Sequence, residues 1–339
     1  MNSRCLAARA ITLSAAVATS VCVTAFGQPT DTLRICTYNV LNFGTVVDPI
    51  RVVSFQDVLG SIRPHILVLQ EIEGAAGLAT FMHNAATTLP GVIEAPFVDG
   101  PDSDNALLID TNKVSVVGHA VIQTPLRNVD RWRLIVKSSN DTIDVWSLHL
   151  KAGDTEADAL QRQAEATLVR QSLDSSENRH RVVAGDLNTY ASSEGAYFQL
   201  TYTGFRPAGE VEDPIGRPGN WHSDSAFADI HTQSTRTRQA GGGIGGGVDD
   251  RFDFLLLSPS LRGRYLEGSY TAFGNDGEHF NDSINAPPNR AVGTDLAQSL
   301  HDASDHLPVF MDLVFVGATS GVRDKSERLR DRRVDLSER

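Results

Sequence analysis

Cysteine is the first scarcity. Of three cysteines among 339 residues, Cys5 and Cys22 fall within the first 27 positions, and only Cys36 lies beyond them. Those 27 positions read as a secretory signal. Arg4 and Arg9 precede the apolar stretch Ala10–Val23, and Ala25-Phe26-Gly27 offers the small residues a signal peptidase reads. The stretch is too short for a membrane span and no anchor pattern follows it. The expectation is therefore export, to the periplasm or beyond, with one thiol left. A single cysteine excludes an internal disulfide, so stability has to come from packing.

Positive charge is the second scarcity. Thirty Lys and Arg stand against 42 Asp and Glu, a formal charge of −12, and loss of the leader removes Arg4 and Arg9 as well. This excludes a passive nucleic-acid coat, which needs broad positive charge. It leaves an enzyme open, because divalent cations invert the sign of an acidic cleft and a few arginines can position a phosphate locally. HExxH and CxxC are missing, which argues against tetrahedral zinc, and the absence of GxSxG argues against acyl transfer. The glycine run Gly241–Gly247 lacks the Lys-Ser/Thr ending and the helix of a P-loop, and reads as a mobile loop. Between 258 and 300 no apolar hairpin suited to membrane insertion appears, so stable insertion is not expected.

What is present is a chain that is 41% hydrophobic, enough for a sizeable core. Strand-like runs begin with TLRICTYNVLNFG and continue through HILVLQEIEG, NALLID, KVSVVGHAVI, WRLIVKSS, TIDVWSLHL, HRVVAGDLN, RFDFLLLS and HLPVFMDLVFV. Helices are expected over 50–62, 75–88, 155–175 and near 193–200. In the 155–175 helix, Leu160, Ala164 and Leu168 suggest an apolar stripe, and Thr155 with Asp158 a capping box. The region from about 200 to 250, and the segment between RFDFLLLS and HLPVFMDLVFV, read as irregular. With strands to the end and no linker, one domain over about 31–316 is expected, with the charged segment 317–339 outside it. Many strands and few strong helices suggest two packed sheets with helices outside.

Polar residues recur where these runs end. Asn39 follows RICTY, Glu71 follows ILVLQ, and Asp186 and Asn188 follow VVAG. Asp253 lies in RFDFLLL, and Asp305-His306 precede LPVF. Taken singly, each suits a cap or an Asx-turn. As a set, strand ends in a two-sheet protein can converge on one face. Their oxygens are hard ligands suited to Mg²⁺, with Mn²⁺ or Ca²⁺ as alternatives. His149 and His306 add imidazoles able to donate or relay protons near neutral pH. That inventory suits attack of water on a phosphorus ester.

TYNVLNFG, LVLQEI, WSLHLKAG, VAGDLNTYAS, RFDFLLLS and SDHLPV together resemble the ordered motifs of the endonuclease/exonuclease/phosphatase superfamily. The resemblance implies an α/β four-layer sandwich, two face-to-face mixed β-sheets flanked by helices. It implies Glu71 as principal metal ligand supported by Asn39, with Asp186 and Asp305 as further ligands. Asp186 and Asn188 would orient water and phosphate, Asp253 would orient His306, and His149 would contact the scissile phosphate and act in proton transfer. Arg131 resembles a phosphate-positioning arginine, with Arg133 the alternative two residues on. Trp132 and Trp146 are expected to pack. GDLNTYASSEGAY looks like secreted bacterial nucleases, so the implied activity is divalent-metal-dependent hydrolysis of DNA, with RNA a second substrate, by a monomer. The alternatives are a secreted phosphodiesterase or phosphatase acting on lipid or small phosphate esters, and a binding protein without chemistry on the same scaffold.

Overall fold

The computed structural model describes residues 30–204 and 209–317. The expected signal segment therefore lies outside the described residues, as does the charged tail beyond Gly317. Eleven strands alternate with six helices among the described residues. In chain order they are β1 Thr30–Phe43, α1 Pro49–Ile62, β2 Ile66–Ile72, α2 Gly74–Asn84, β3 Val92–Glu94, β4 Asp104–Asp110, β5 Val114–Ile122, β6 Val129–Val136 and β7 Asp141–His149. There follow α3 Glu156–Ser175, β8 Arg181–Asp186, α4 Gly195–Thr201, β9 Asp253–Leu257, α5 Pro259–Arg262, β10 Thr271–Ala272, α6 Thr294–Ala303 and β11 Val309–Val316.

The strands form two mixed sheets, ordered β10-β11-β1-β2-β4-β3 and β5-β6-β7-β8-β9. Alternation along each strand puts one set of side chains between the sheets and the other under the helices. Leu33, Ile35, Val68, Trp132, Val145, Val182, Leu255 and Met311 belong to the layer between sheets. The outer face of the first sheet packs on α1, α2 and α6 through Phe43, Phe55, Leu59, Phe81 and Leu300. Trp146, Val183 and Phe254 of the second sheet pack on α3 and α4 through Ala166, Val169, Leu173 and Leu200. Three apolar layers between four structural layers make the sandwich that the sequence led us to expect.

Two local readings differ from the sequence. In α3 the capping box forms in both halves, but Leu160 is 60% exposed, and the buried side is Arg162, Glu165, Ala166, Val169, Arg170 and Leu173. A strict four-residue repeat drifts around a 3.6-residue helix, and the inward polar groups are neutralised rather than excluded: Arg162 pairs with Glu194 at 2.8 Å. The irregular segment before β11 also contains α6, whose Ala297, Leu300 and Ala303 are buried at helical spacing.

Topology fixes where the polar strand ends meet. The centre of each sheet is a parallel pair, β1 with β2 and β7 with β8. Each pair carries an antiparallel neighbour, β11 on β1 and β9 on β8. The carboxyl ends of β1, β2, β7 and β8 and the starts of β9 and β11 therefore share one edge of the sandwich.

Candidate active site

Backbone conformation turns the polar side chains into this edge. Register shifts interrupt the β1–β2 pairing after Asn39 and the β2–β4 pairing after Leu69. Beside these breaks Leu41, Asn42 and Glu71 adopt left-handed φ values of 48°, 45° and 62°, and Asn188 follows β8 at 49°. Such conformations are costly for residues with a side chain and mark constrained functional segments. The result aims Glu71 away from the strand's regular alternation, and the Asn42 amide donates to Glu71 Oε2 at 2.9 Å.

The side chains form one connected group. Asn39 Nδ2 donates to Glu71 Oε1 at 2.9 Å and to Asp186 Oδ2 at 3.1 Å. His149 Nε2 stands 3.8 Å from Glu71 Oε1 and 3.6 Å from Asp186 Oδ2. His306 Nε2 stands 3.7 Å from the same Asp186 oxygen, and its Nδ1 contacts Asp253 Oδ2 at 2.8 Å. Asp186 Oδ1 accepts from the Asn188 amide at 2.9 Å. Glu71, His149, Asp186, Asn188, Asp305 and His306 line a single cavity of about 350 Å³, with Asn39 and Asp253 behind them. Eight residues read from six separated motifs thus come together.

Electrostatics separates the two histidines. Burial, together with the fields of Arg127 and His306, holds His149 well below the ordinary imidazole range, so it is neutral at pH 7. Burial also opposes charge on His306, but Asp253, Asp186 and Asp305 outweigh it and raise its pKa well above the usual value. Burial raises Asp186 to about 7, with Asp253 and Glu71 adding to the rise while His306 opposes it. Two such neighbours titrate as a pair.

The donor set fits a hard divalent cation. Glu71, Asp186 and Asp305 present carboxylates to one cavity, and Asp305 Oδ1 is buried without a hydrogen-bond partner. Asn39 is oriented differently from a ligand. Its oxygen accepts the Leu41 amide at 3.0 Å, so what it presents to the site is a donor that braces Glu71 and Asp186. A second group that could hold a metal ion, His222 with Asp249 and Asp250, lies at the outer rim, where Asp250 also lines the cavity.

Arg131 is not part of this assembly. In β6 Trp132 faces the inter-sheet layer, so strand alternation turns Arg131 and Arg133 to the opposite side. There Arg131 lies 5.8 Å over the Trp146 ring, and Arg133 is bound to Asp144 at 2.7 Å. The arginine whose field reaches His149 is Arg127, itself paired with Asp102 at 3.0 Å. Trp132 and Trp146 pack in two different layers, as expected. The glycine run is largely exposed but reaches the site at Gly243 and Ile244. A Cβ on Gly243 would lie 2.9 Å from the Asp305 carboxylate, and the Ile244 amide donates to Asp305 Oδ2 at 2.7 Å. Gln233 also lines the cavity. It sits in a stretch that reads as irregular, with no periodic signal to single it out.

The profile of the endonuclease/exonuclease/phosphatase family matches residues 36–306. The chain belongs to this family. Members are divalent-metal-dependent phosphoester hydrolases, and the acidic cavity agrees with that chemistry. Solved structures agree on the fold. Danio rerio TDP2 complexed with a single-strand DNA product is 16% identical, with a TM-score of 0.55 over 84% of this chain and 99% of that one. A family member from Bacteroides thetaiotaomicron is 15% identical at 0.54, covering 85% and 97%. A mannosyl-6-phosphatase from the same organism is 15% identical at 0.52, covering 84% and 100%. A search of curated protein sequences finds no match.

Proposed function

We propose that this family member is an exported hydrolase that uses a divalent cation, Mg²⁺ first among the candidates, to cleave the phosphodiester bonds of DNA. The observation that carries the chemistry is the convergence of Glu71, Asp186, His149 and the Asp253–His306 pair on one cavity. A cation held by Glu71, Asp186 and Asp305 would set positive charge against the phosphate's growing negative charge. Asp253 fixes His306 with Nε2 toward Asp186, and that pair takes the proton of the attacking water. Neutral His149 donates a hydrogen bond to the leaving oxygen. Asn188, one of whose amide hydrogens goes to the Leu150 carbonyl at 3.2 Å, has another for the phosphate.

One observation favours a second reading, a small phosphate ester. The cavity lining contains no Lys or Arg, whereas duplex binding draws on several phosphate contacts from such residues. Purified protein should be assayed on plasmid DNA, RNA, a phospholipid and sugar phosphates, with metal removed and restored. The proposal expects plasmid loss that chelator, Glu71→Ala and His149→Ala each abolish. Rapid turnover of a small ester with intact plasmid would establish the second reading. Normal cutting by both variants would remove the site assignment.

A further inference from the structure

The cavity has lost its expected arginine and contains no other basic side chain apart from histidine, so some other group has to meet the phosphoryl oxygens. Neutral donors are few. Both hydrogens of the Asn39 amide face Glu71 and Asp186, and one of Asn188's goes to Leu150. Gln233 is different. Its side-chain amide lies between two groups that the reaction itself uses, with the nitrogen 2.7 Å from His306 Nε2 and 3.5 Å from Asp305 Oδ2. Main-chain bonds clamp it there from two sides. Gln233 and Asp250 exchange amide–carbonyl bonds of 3.0 and 2.9 Å, and the Leu307 amide donates to the Thr232 carbonyl at 2.7 Å. The flanking residues His231, Thr232, Ser234, Thr235 and Arg236 are buried, whereas Gln233 opens on the cavity. A residue whose main chain is anchored this firmly between buried neighbours presents its side chain to the cavity from a fixed base.

We propose that Gln233 is a substrate-contacting residue, whose side-chain amide donates to a non-bridging phosphoryl oxygen and takes the place of a phosphate-positioning arginine. The inference rests on phosphoester hydrolysis at this site. It holds whichever alcohol the ester carries, because the contact is to the phosphoryl group. A neutral donor is suited to a cavity of carboxylates: a guanidinium would form strong ion pairs with Asp305 and Asp250, while an uncharged amide, 3.5 Å from Asp305 Oδ2, is exchanged more readily for a phosphoryl oxygen.

Full-length protein with Mg²⁺ or Mn²⁺, assayed on bis(p-nitrophenyl) phosphate and on plasmid DNA, provides the test. Gln233→Ala should lower kcat about 10²-fold with little change in KM, the signature of a contact made chiefly in the transition state. Vanadate, which resembles that state, should lose more affinity than inorganic phosphate in calorimetry, whereas a purely structural role would weaken both equally. Gln233→Glu discriminates further. It is nearly isosteric and retains a bond to His306, but it sets a carboxylate against the phosphate, so it should be slower than the alanine variant. Gln233→Asn, if the alanine protein does not fold, keeps the amide and should exceed Gln233→Glu. Glutamate activity equal to or above alanine's would overturn the inference, since holding His306 would then suffice. Wild-type inactivity on every ester would instead overturn the functional reading together with it.

Discussion

Asp186 concentrates the tension of the site in one side chain. Buried beside Asp253 and Glu71, its carboxyl is pushed up to about 7, far above the ordinary aspartate range. A folded-state pKa above the unfolded one means that the group's contribution to stability is complete below about 4. That contribution is lost as pH rises through about 7. In chelator-treated protein the thermal midpoint of Asp186→Asn, measured relative to wild type, should therefore rise across pH 4 to 7. Adding Mg²⁺ should narrow that difference, because the cation favours the ionised wild-type carboxyl. A difference that stays constant with pH in chelator would remove the assigned burial cost. His306 depends on Asp253 in another way, through the 2.8 Å bond at Nδ1. Asp253→Asn keeps the shape and loses the charge, and should reduce turnover by about 10²–10⁴-fold, as general acid–base groups do. Steady-state rates near wild type would show that His306 needs no such partner.

At the scale of elements, the strand that delivers Asp186 depends on the residue before it. Gly185 has φ +136°, and a Cβ there would meet the Leu148 carbonyl oxygen of β7 at 1.9 Å. Backbone cannot yield as a flexible side chain does, so the parallel pairing of β7 with β8 requires glycine. Gly185→Ala should cost at least about 3 kcal/mol, from strain and displaced pairing together. Thermal melts read this directly, and an unchanged midpoint would refute the requirement. The string VVAGD shows what a sequence carries here. Apolar runs ending in polar residues locate nine strands and most of the site, because burial dictates their composition. They cannot show the left-handed turns at Leu41, Asn42 and Glu71, which arise from register breaks between distant strands. Arg131 misleads because an arginine in a strand carries no mark of the face it takes. Alternation from the buried Trp132 supplies that mark only once the sheet is known. The face of α3 misleads for a related reason: Arg162 and Glu165 look solvent-facing until Glu194 and the Lys151 amide are placed against them. Gln233 gives no signal, since its place is set by bonds to Asp250 and by the neighbouring β11 approach rather than by a repeat.

At the scale of the whole molecule, charge sets the substrate question. A chain of formal charge −12 and a cavity lined by Glu71, Asp186, Asp250 and Asp305 repel a polyanion before any contact is made. Among the described residues no helix is long and apolar enough to cross a membrane, so no spanning helix within them would fix the enzyme at a lipid surface. Proteins that hold DNA by basic contacts lose affinity steeply as salt rises, through counterion release. Here the long-range force between enzyme and DNA is repulsive, and salt acts the other way. Added salt screens the repulsion over a Debye length of about 10 Å at 0.1 M, and calcium can in addition bind the rim carboxylates. Plasmid cleavage at fixed saturating Mg²⁺ should therefore rise with NaCl through the low-salt range, and rise further with Ca²⁺. Hydrolysis of an uncharged or monoanionic ester should be nearly flat over the same titration, since little repulsion is there to screen. A steep fall in plasmid cutting with salt would reveal a basic DNA-binding surface elsewhere on the molecule. Flat plasmid activity in both titrations would remove long-range repulsion as the limiting step and leave fit within the cavity to select the substrate.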